Sequence, residues 1–484
     1  MKKWVQLCLT AVLFVASMPL FCACVSGQAV RTKYEITAEY APEHQTLTGV
    51  VKVTFENPTE NEISALQFQL YPNAYRENAL YSAVYSTEEK TAYYDGKSHG
   101  GITVTSVSGA KGWQITGEDE NILTATLMQS LYPNESVVLD LGFIVTLPKI
   151  NHRFGVGQNA VALSRFFPVL CGVYGGTFVE VTPSSIGEPY VLDSAEYKLS
   201  LTLPKEYTPV SSCEVQVLQT LEHKTLYILT GEDIRNFGLS LYTDRQTLQT
   251  RVGNCQLTYA YTKDDNAERT LETVKEVFSY CQSKFGTYPY PTFTLLQTAQ
   301  AGDAYGYTAF CTLAEHLTEQ ERLRAIVKQV VKQWFGEIVG IDGVHNAWQS
   351  DGLAEYVALT FFDEKSGYGV EKDKEVAKCL REYRSYYDVY GSVLDRTDTK
   401  MNKPLSAYVN AYEYRCISVD KAVVMLDTLQ KSIGKKRLFA GLKRYCTQYA
   451  FGLTGEAELI GALERHGADV QGFFDGFLQG KVIL

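Results

Sequence analysis

The sequence predicts an α+β protein: an amino-terminal antiparallel β-sandwich or saddle, followed by an α/β and mostly helical region. Three observations predict it. From Tyr34 to about Tyr242 apolar residues recur with period two, from Thr318 to Ile338 the period is helical, and past Asp363 most segments read as helix. At 484 residues, 45% of them hydrophobic, the chain is long enough for two or three domains with real cores. The changes of pattern place boundaries at 1–23, 24–245 and 246–484, with a helical lobe from about 364.

Lys2 and Lys3 precede an apolar run from Trp4 to Ala23, which reads as a bacterial signal peptide. Phe21-Cys22-Ala23-Cys24 resembles a lipobox, with cleavage before Cys24 and lipid attached to it. An ordinary signal peptide or an uncleaved anchor are the other readings. All three place the remainder outside the cytoplasmic membrane, as a cell-surface or periplasmic lipoprotein in the leading case.

In the β region Tyr34, Ile36, Ala38 and Tyr40 alternate, then Leu47, Gly49, Val51, Val53 and Phe55, then Leu66, Phe68 and Leu70, and later Tyr197, Leu199, Leu201 and Leu203. Asn57-Pro58 and Pro204 punctuate them. Around Arg245 the pattern changes to a strand at Gln256–Tyr261 and a helix from about Asn266 to Phe285 carrying Leu271, Val274, Val277, Phe278 and Cys281.

Thr318 followed three residues later by Glu321 forms a capping box, which starts a helix. Leu323, Ile326, Val327, Val330, Val331, Trp334, Phe335 and Ile338 continue it, filling about half a wheel at roughly 100° per residue. Gly336 and Gly340 loosen its end. Ser350 or Asp351 then caps a second helix, whose first turns hold Asp351 and Glu355 on one face. Further helices are predicted near 372–387, 419–432, 436–449, 456–466 and 470–478.

Trp334-Phe335-Gly336 and Trp348-Gln349-Ser350-Asp351-Gly352-Leu353-Ala354-Glu355-Tyr356 resemble the core of the gluzincin zinc aminopeptidases, the aminopeptidase N and leukotriene hydrolase type. Leu70-Tyr71-Pro72-Asn73-Ala74-Tyr75-Arg76, Phe167-Pro168-Val169-Leu170, Gly187-Glu188-Pro189-Tyr190 and Phe285-Gly286-Thr287-Tyr288-Pro289 extend the likeness over nearly all of the mature chain. It implies an amino-terminal β domain and a thermolysin-like peptidase domain.

In that family a His-Glu-x-x-His precedes the Trp-Phe-Gly, and a Glu in the second motif completes the zinc site. Here the three ligand positions fall on Lys328, Lys332 and Asp351, and the catalytic Glu on Gln329, with Glu355 behind them. The family's amine-anchoring Glu falls on Ala304, so that 301–307 reads as a plain Gly-rich connection. Its oxyanion Tyr falls on Cys416, with Tyr412 and Tyr414 nearby.

An ammonium has three donors and no lone pair for zinc. Stripping the proton from one lysine at neutral pH costs roughly 4–5 kcal/mol, so the sequence carries the expectation of no cofactor, with zinc lost. Gln329 takes up no proton, which removes a general base worth about 10²–10⁴ in rate. The two lysines are read either as a solvated helix face or as a cluster with Asp351. The cluster, two ammoniums, an amide and a carboxylate, sums to plus one, and so recruits another anion or stays wet.

A net charge of −10 and the lack of a dense basic run argue against nucleic acid. Eight cysteines follow Cys24 without a Cys-x-x-Cys pair, no two histidines lie within a helical turn, and no Gly-x-Ser-x-Gly is present. The expectation is an exported pseudopeptidase, binding or scaffolding at the envelope with a peptide, protein or envelope partner. The alternative is a hydrolase, with residual zinc or with lysine-based chemistry in the old cleft.

Overall fold

The structure is a computed structural model that describes residues 32–394, 398–464 and 470–484. The export segment and Cys24 lie outside the described residues. Among the described residues no helix is long and apolar enough to cross a membrane.

The alternating residues form a seven-stranded sheet in the order Glu214–Thr220, Lys224–Ile234, Ala195–Pro204, Thr32–Ala41, Thr46–Glu56, Ser136–Thr146 and Gly101–Ser108. Ile36 lies between Val51 and Leu199, and all three are buried, so one face of the sheet is core. The expected antiparallel pattern has one exception. Thr32–Ala41 runs parallel to Ala195–Pro204 and antiparallel to Thr46–Glu56. The β-rich region also holds two four-stranded sheets, one built on Ile63–Gln69 and Ile122–Leu131, the other on Thr208–Ser211 and Leu239–Tyr242, and a two-stranded ribbon of Val173–Tyr174 and Thr177–Phe178.

From Gln246 a five-stranded mixed sheet follows, in the order Gln246–Val252, Cys255–Tyr261, Thr292–Thr298, Phe310–Ala314 and Ala304–Tyr307. Its three inner strands are parallel and both edges antiparallel. Residues 304–307, expected as a plain connection, are therefore its edge strand. The helices Ala267–Phe285 and Glu319–Lys332 pack together beside it, and Leu353–Glu364, apolar nearly all round, is buried behind them.

The core helix starts where the capping box places it. Thr318 accepts from the Glu321 amide, and the Glu321 carboxylate accepts from the Thr318 amide. It ends earlier than the apolar spacing implied, at Lys332. Gly336, with φ +150°, turns the chain, and Trp334 and Phe335 keep their burial outside the helix. Trp334 packs on Phe278 and Tyr288 and donates to the Gly286 carbonyl at 3.0 Å, while Phe335 packs on Phe285. Burying each ring stabilises the fold by roughly 4–6 kcal/mol as an upper figure. That exceeds what a further helical turn gains.

Asp351 and Ser350 do not cap the next helix. They lie in a π-helical turn, Trp348–Gly352, that runs into Leu353–Glu364. Gly352 is required there, since a Cβ would come within 2.4 Å of both Ala422 and the Ser418 carbonyl. The turn thus seats against a second π-helical turn, Arg415–Asp420, which leads into Lys421–Ile433. The remaining α-helices run Lys372–Leu394, Lys435–Gln448, Glu456–Glu464 and Gln471–Leu478, with single turns at Glu89–Ala92 and Ala411–Tyr414.

Candidate functional site

Lys328 and Lys332 lie one turn apart on the core helix, facing the π-helical turn that carries Asp351. The Lys332 ammonium donates to Asp351 Oδ1 at 3.0 Å, and Lys328 Nζ lies 3.3 Å from the same oxygen. Lys328 also stands 3.6 Å from Glu355 Oε2. The side chains of Lys332 and Asp351 are only 10% and 13% exposed, against 26% for Lys328. A solvated face does not describe this arrangement.

The plus-one charge of Lys328, Lys332 and Asp351 is balanced by Glu355, and an ion pair that the sequence reading did not place there, Arg153 with Glu188, joins the cluster. Glu188, on a loop of the β-rich region, accepts from Lys332 at 3.2 Å and from both ends of the Arg153 guanidinium at 3.1 and 3.2 Å. Three cations, Lys328, Lys332 and Arg153, meet three carboxylates, Asp351, Glu188 and Glu355. Gly187 lets the loop approach. Its φ is +68°, and a Cβ would lie 3.0 Å from the Tyr414 hydroxyl and from Leu405.

Burial alone would raise the Asp351 carboxyl. Lys328, Lys332 and the hydroxyl of Tyr414 reverse this and hold it well below the usual carboxylate range. Glu188 is likewise held low, by Arg153 and Lys332 against the opposing burial. For Lys332 burial works to lower the value, but Asp351 and Glu188 together raise it above the ordinary lysine range. Its nitrogen is a locked ammonium, unsuited to act as nucleophile or base.

Tyr414, not Cys416, reaches the cluster. Its hydroxyl donates to Asp351 Oδ2 at 2.5 Å, and burial, then Asp351, raises its ionisation far above that of a free tyrosine. Cys416 is buried with its Sγ 3.8 Å from the Glu382 carbonyl, and Tyr412 is half exposed. Cys416 and Tyr414 are two positions apart, and Tyr414 closes the short helix Ala411–Tyr414 that runs directly into the π-helical turn Arg415–Asp420.

Gln329 donates to the Ala304 carbonyl at 3.3 Å, which joins the core helix to the edge strand, and its Oε1 has no hydrogen-bond partner. A cavity of about 60 Å³ lies here, lined by Glu188, Arg235, Gln329, Lys332, Glu337 and Ser350 among others. It has room for ordered water. The chemistry available is charge recognition and hydrogen bonding. No described group at Gln329 or Lys332 can take up a proton from water.

Residues 269–477 match the model of the peptidase family M1 domain. The chain is 19% identical over 288 residues to a tricorn protease-interacting factor F2 of Thermoplasma volcanium, a match covering 56% of this chain and 36% of that protein. It is 21% identical over 245 residues to an aminopeptidase N of Streptomyces lividans, covering 44% of this chain and 26% of the relative. The chain thus spans about a third or less of the curated relatives it matches. Among solved structures it resembles an M1 zinc metallopeptidase of Deinococcus radiodurans, with a TM-score of 0.64, 15% identity and 94% of each chain covered. A mutant of that enzyme bound to a Tyr-Ser-Ala substrate gives a TM-score of 0.63 at 16% identity, again over 94% of each chain. The mixed architecture, a β-rich region followed by a helical one, is that of the two-domain M1 metallopeptidases.

These findings correct the expectation of no cofactor, because the solved proteins sharing this fold are zinc metallopeptidases. The donor set is a separate observation. Two ammoniums and one carboxylate, already paired with one another, do not fit a zinc ion, and among the described residues no group of three or more His, Cys, Asp or Glu is placed to hold a metal.

Proposed function

We propose, from the premise that residues 269–477 form a peptidase family M1 domain, that this chain is a pseudopeptidase that binds peptides or proteins without cleaving them. The observation that carries the reading is the Lys332 ammonium, seated between Asp351 and Glu188 at the centre of the cleft. Beside it Gln329 offers an amide where hydrolysis calls for a base. The cleft keeps recognition chemistry, since its charged groups and open hydrogen-bonding atoms can still meet a peptide. The reading includes export and attachment to the membrane through lipid on Cys24, supported by Lys2, Lys3 and the apolar run to Ala23. At the envelope the protein then serves as a binding or scaffolding component.

A second reading, a zinc-dependent aminopeptidase-like hydrolase, is favoured by what the relatives are named for. Lysine-based hydrolysis has less support, because Lys332 is held protonated. The deciding experiment assays purified protein against aminoacyl amides and short peptides, with zinc supplied and with chelator. The proposed reading expects no turnover in either condition. Zinc-dependent turnover abolished by chelator would replace it with the second reading.

A further inference from the structure

We propose that a second pocket, formed mainly by the β-rich region beside the Gly302–Tyr305 stretch, binds a single carboxylate, the acidic side chain of a peptide residue, through Arg165. This deepens the binding reading above and rests on it. The pocket has a volume of about 170 Å³, and its lining includes Tyr71, Tyr75, Arg153, Arg165, Tyr190 and Tyr305. It adjoins the cleft, because Tyr190 lines both cavities.

The two arginines differ in what they face. Arg153 is matched by Glu188 through two hydrogen bonds and lies over the Tyr305 ring at 4.3 Å. Arg165 is only 2% exposed, yet among the described residues no carboxylate is paired with it. Its guanidinium lies 3.5 Å from the centre of the Tyr190 ring and 5.1 Å from that of Tyr71, it donates to Asn236 Oδ1, and its Nε has no hydrogen-bond partner. A buried cation left in that state is costly unless an anion completes it. A carboxylate suits the planar fork of a guanidinium.

The other titratable groups of the pocket set the charge of the ligand. His152 is neutral at physiological pH, pushed down to about 3 by burial and by Arg153, with its Nδ1 2.6 Å from the Tyr75 hydroxyl. Glu88, half-buried in the lining, is raised by burial and by Asp303. One unmatched cation in a wall that already holds a carboxylate favours a monoanion over a phosphate dianion. The pocket's size admits one side chain rather than a folded surface.

The test is calorimetric titration of the full chain, solubilised in detergent, with Ala-Glu-Ala-amide, Ala-Gln-Ala-amide and inorganic phosphate. The glutamate peptide should bind on the order of tenfold more tightly than its glutamine counterpart, the worth of one charge-assisted hydrogen bond. Arg165→Gln should erase that preference. Ser185→Asp, which adds a negative charge to the lining and leaves Arg165 in place, should erase it too and decides the matter if the first variant misfolds. Equal affinity of the two peptides, binding of neither, phosphate binding more tightly than the glutamate peptide, or a preference unchanged in Ser185→Asp would overturn the proposal. Chromatography of the recovered peptides separates the two readings: cleavage would overturn the pseudopeptidase reading while leaving the charge preference to stand or fall on the titration.

Discussion

Lys332 and Asp351, nineteen positions apart in the chain, meet at 3.0 Å inside the cleft, and each is held in its charged form by the other. Neither is freely replaceable alone: without Lys332, Asp351 keeps only the more exposed Lys328 and the Tyr414 hydroxyl, and without Asp351, Lys332 keeps only Glu188.

Lys332→Met should therefore destabilise the protein by about 1.5–3 kcal/mol, the worth of a hydrogen bond to a charged group, since Lys328 still faces Asp351 and Arg153 still faces Glu188. Adding Asp351→Leu should recover part of that loss. Urea unfolding of the wild type, both single variants and the double variant gives the coupling, expected at about 1–3 kcal/mol. Additive losses would mean that the two residues act separately.

The acid limb of stability follows from the same pair. Asp351 and Glu188 have folded-state values below their unfolded ones, so the unfolded chain binds more protons as the pH falls. Their contribution is present above the ordinary carboxylate range of about 4 and is lost as the pH drops through the folded values. Melting temperature should fall steeply below about pH 4, and Asp351→Asn should flatten the slope. Lys332 has the opposite sign, its contribution being complete below the ordinary lysine value and fading as the pH rises through the raised one. Lys332→Met should flatten the alkaline limb.

Tyr414→Phe removes the hydroxyl that donates to Asp351 Oδ2. A loss of roughly 1–3 kcal/mol in thermal unfolding is expected, because the acceptor is a buried carboxylate. Peptide binding measured beside it should weaken in Tyr414→Phe and remain unchanged in Cys416→Ser, whose side chain points away from the cluster toward the Glu382 carbonyl.

Gly187→Ala should cost about 1–2 kcal/mol for the positive φ alone, with more from the approach to Tyr414 and Leu405. The visible sign beyond stability would be a weaker acid limb, as Glu188 is carried away from Lys332. An unchanged melting curve and pH profile would show that the loop accommodates a Cβ.

Local signals are legible in the sequence alone. Alternation placed Thr32–Ala41 and Ala195–Pro204, and the Thr318–Glu321 box placed the start of the core helix, because period and capping are properties of neighbours in sequence. The helix end was not legible, since Trp334 and Phe335 preserve apolar spacing while their burial comes from Phe278, Tyr288 and Phe285. Lys328, Lys332 and Asp351 were found through motif spacing. Glu188, 144 positions from Lys332, was not, although the uncompensated positive charge called for an anion and Gly187-Glu188-Pro189-Tyr190 was already singled out. Tyr414 is one of the two tyrosines the sequence offers beside Cys416, and spacing does not choose among them, because the short helix Ala411–Tyr414 runs into a π-helical turn that departs from the 3.6 period.

The parallel pairing of Thr32–Ala41 with Ala195–Pro204 also governs the order in which the protein can assemble. The strand that begins the described chain lies in the interior of the seven-stranded sheet, and one of its two flanks is filled by a segment made far later in synthesis. Until Pro204 has emerged, a hairpin of Thr32–Ala41 and Thr46–Glu56 presents an open row of backbone donors and acceptors. Closing that long loop comes before the reward of pairing, which makes completion of the sheet a slow event. The nascent chain therefore passes through a stage in which its edge must be kept from pairing with another copy.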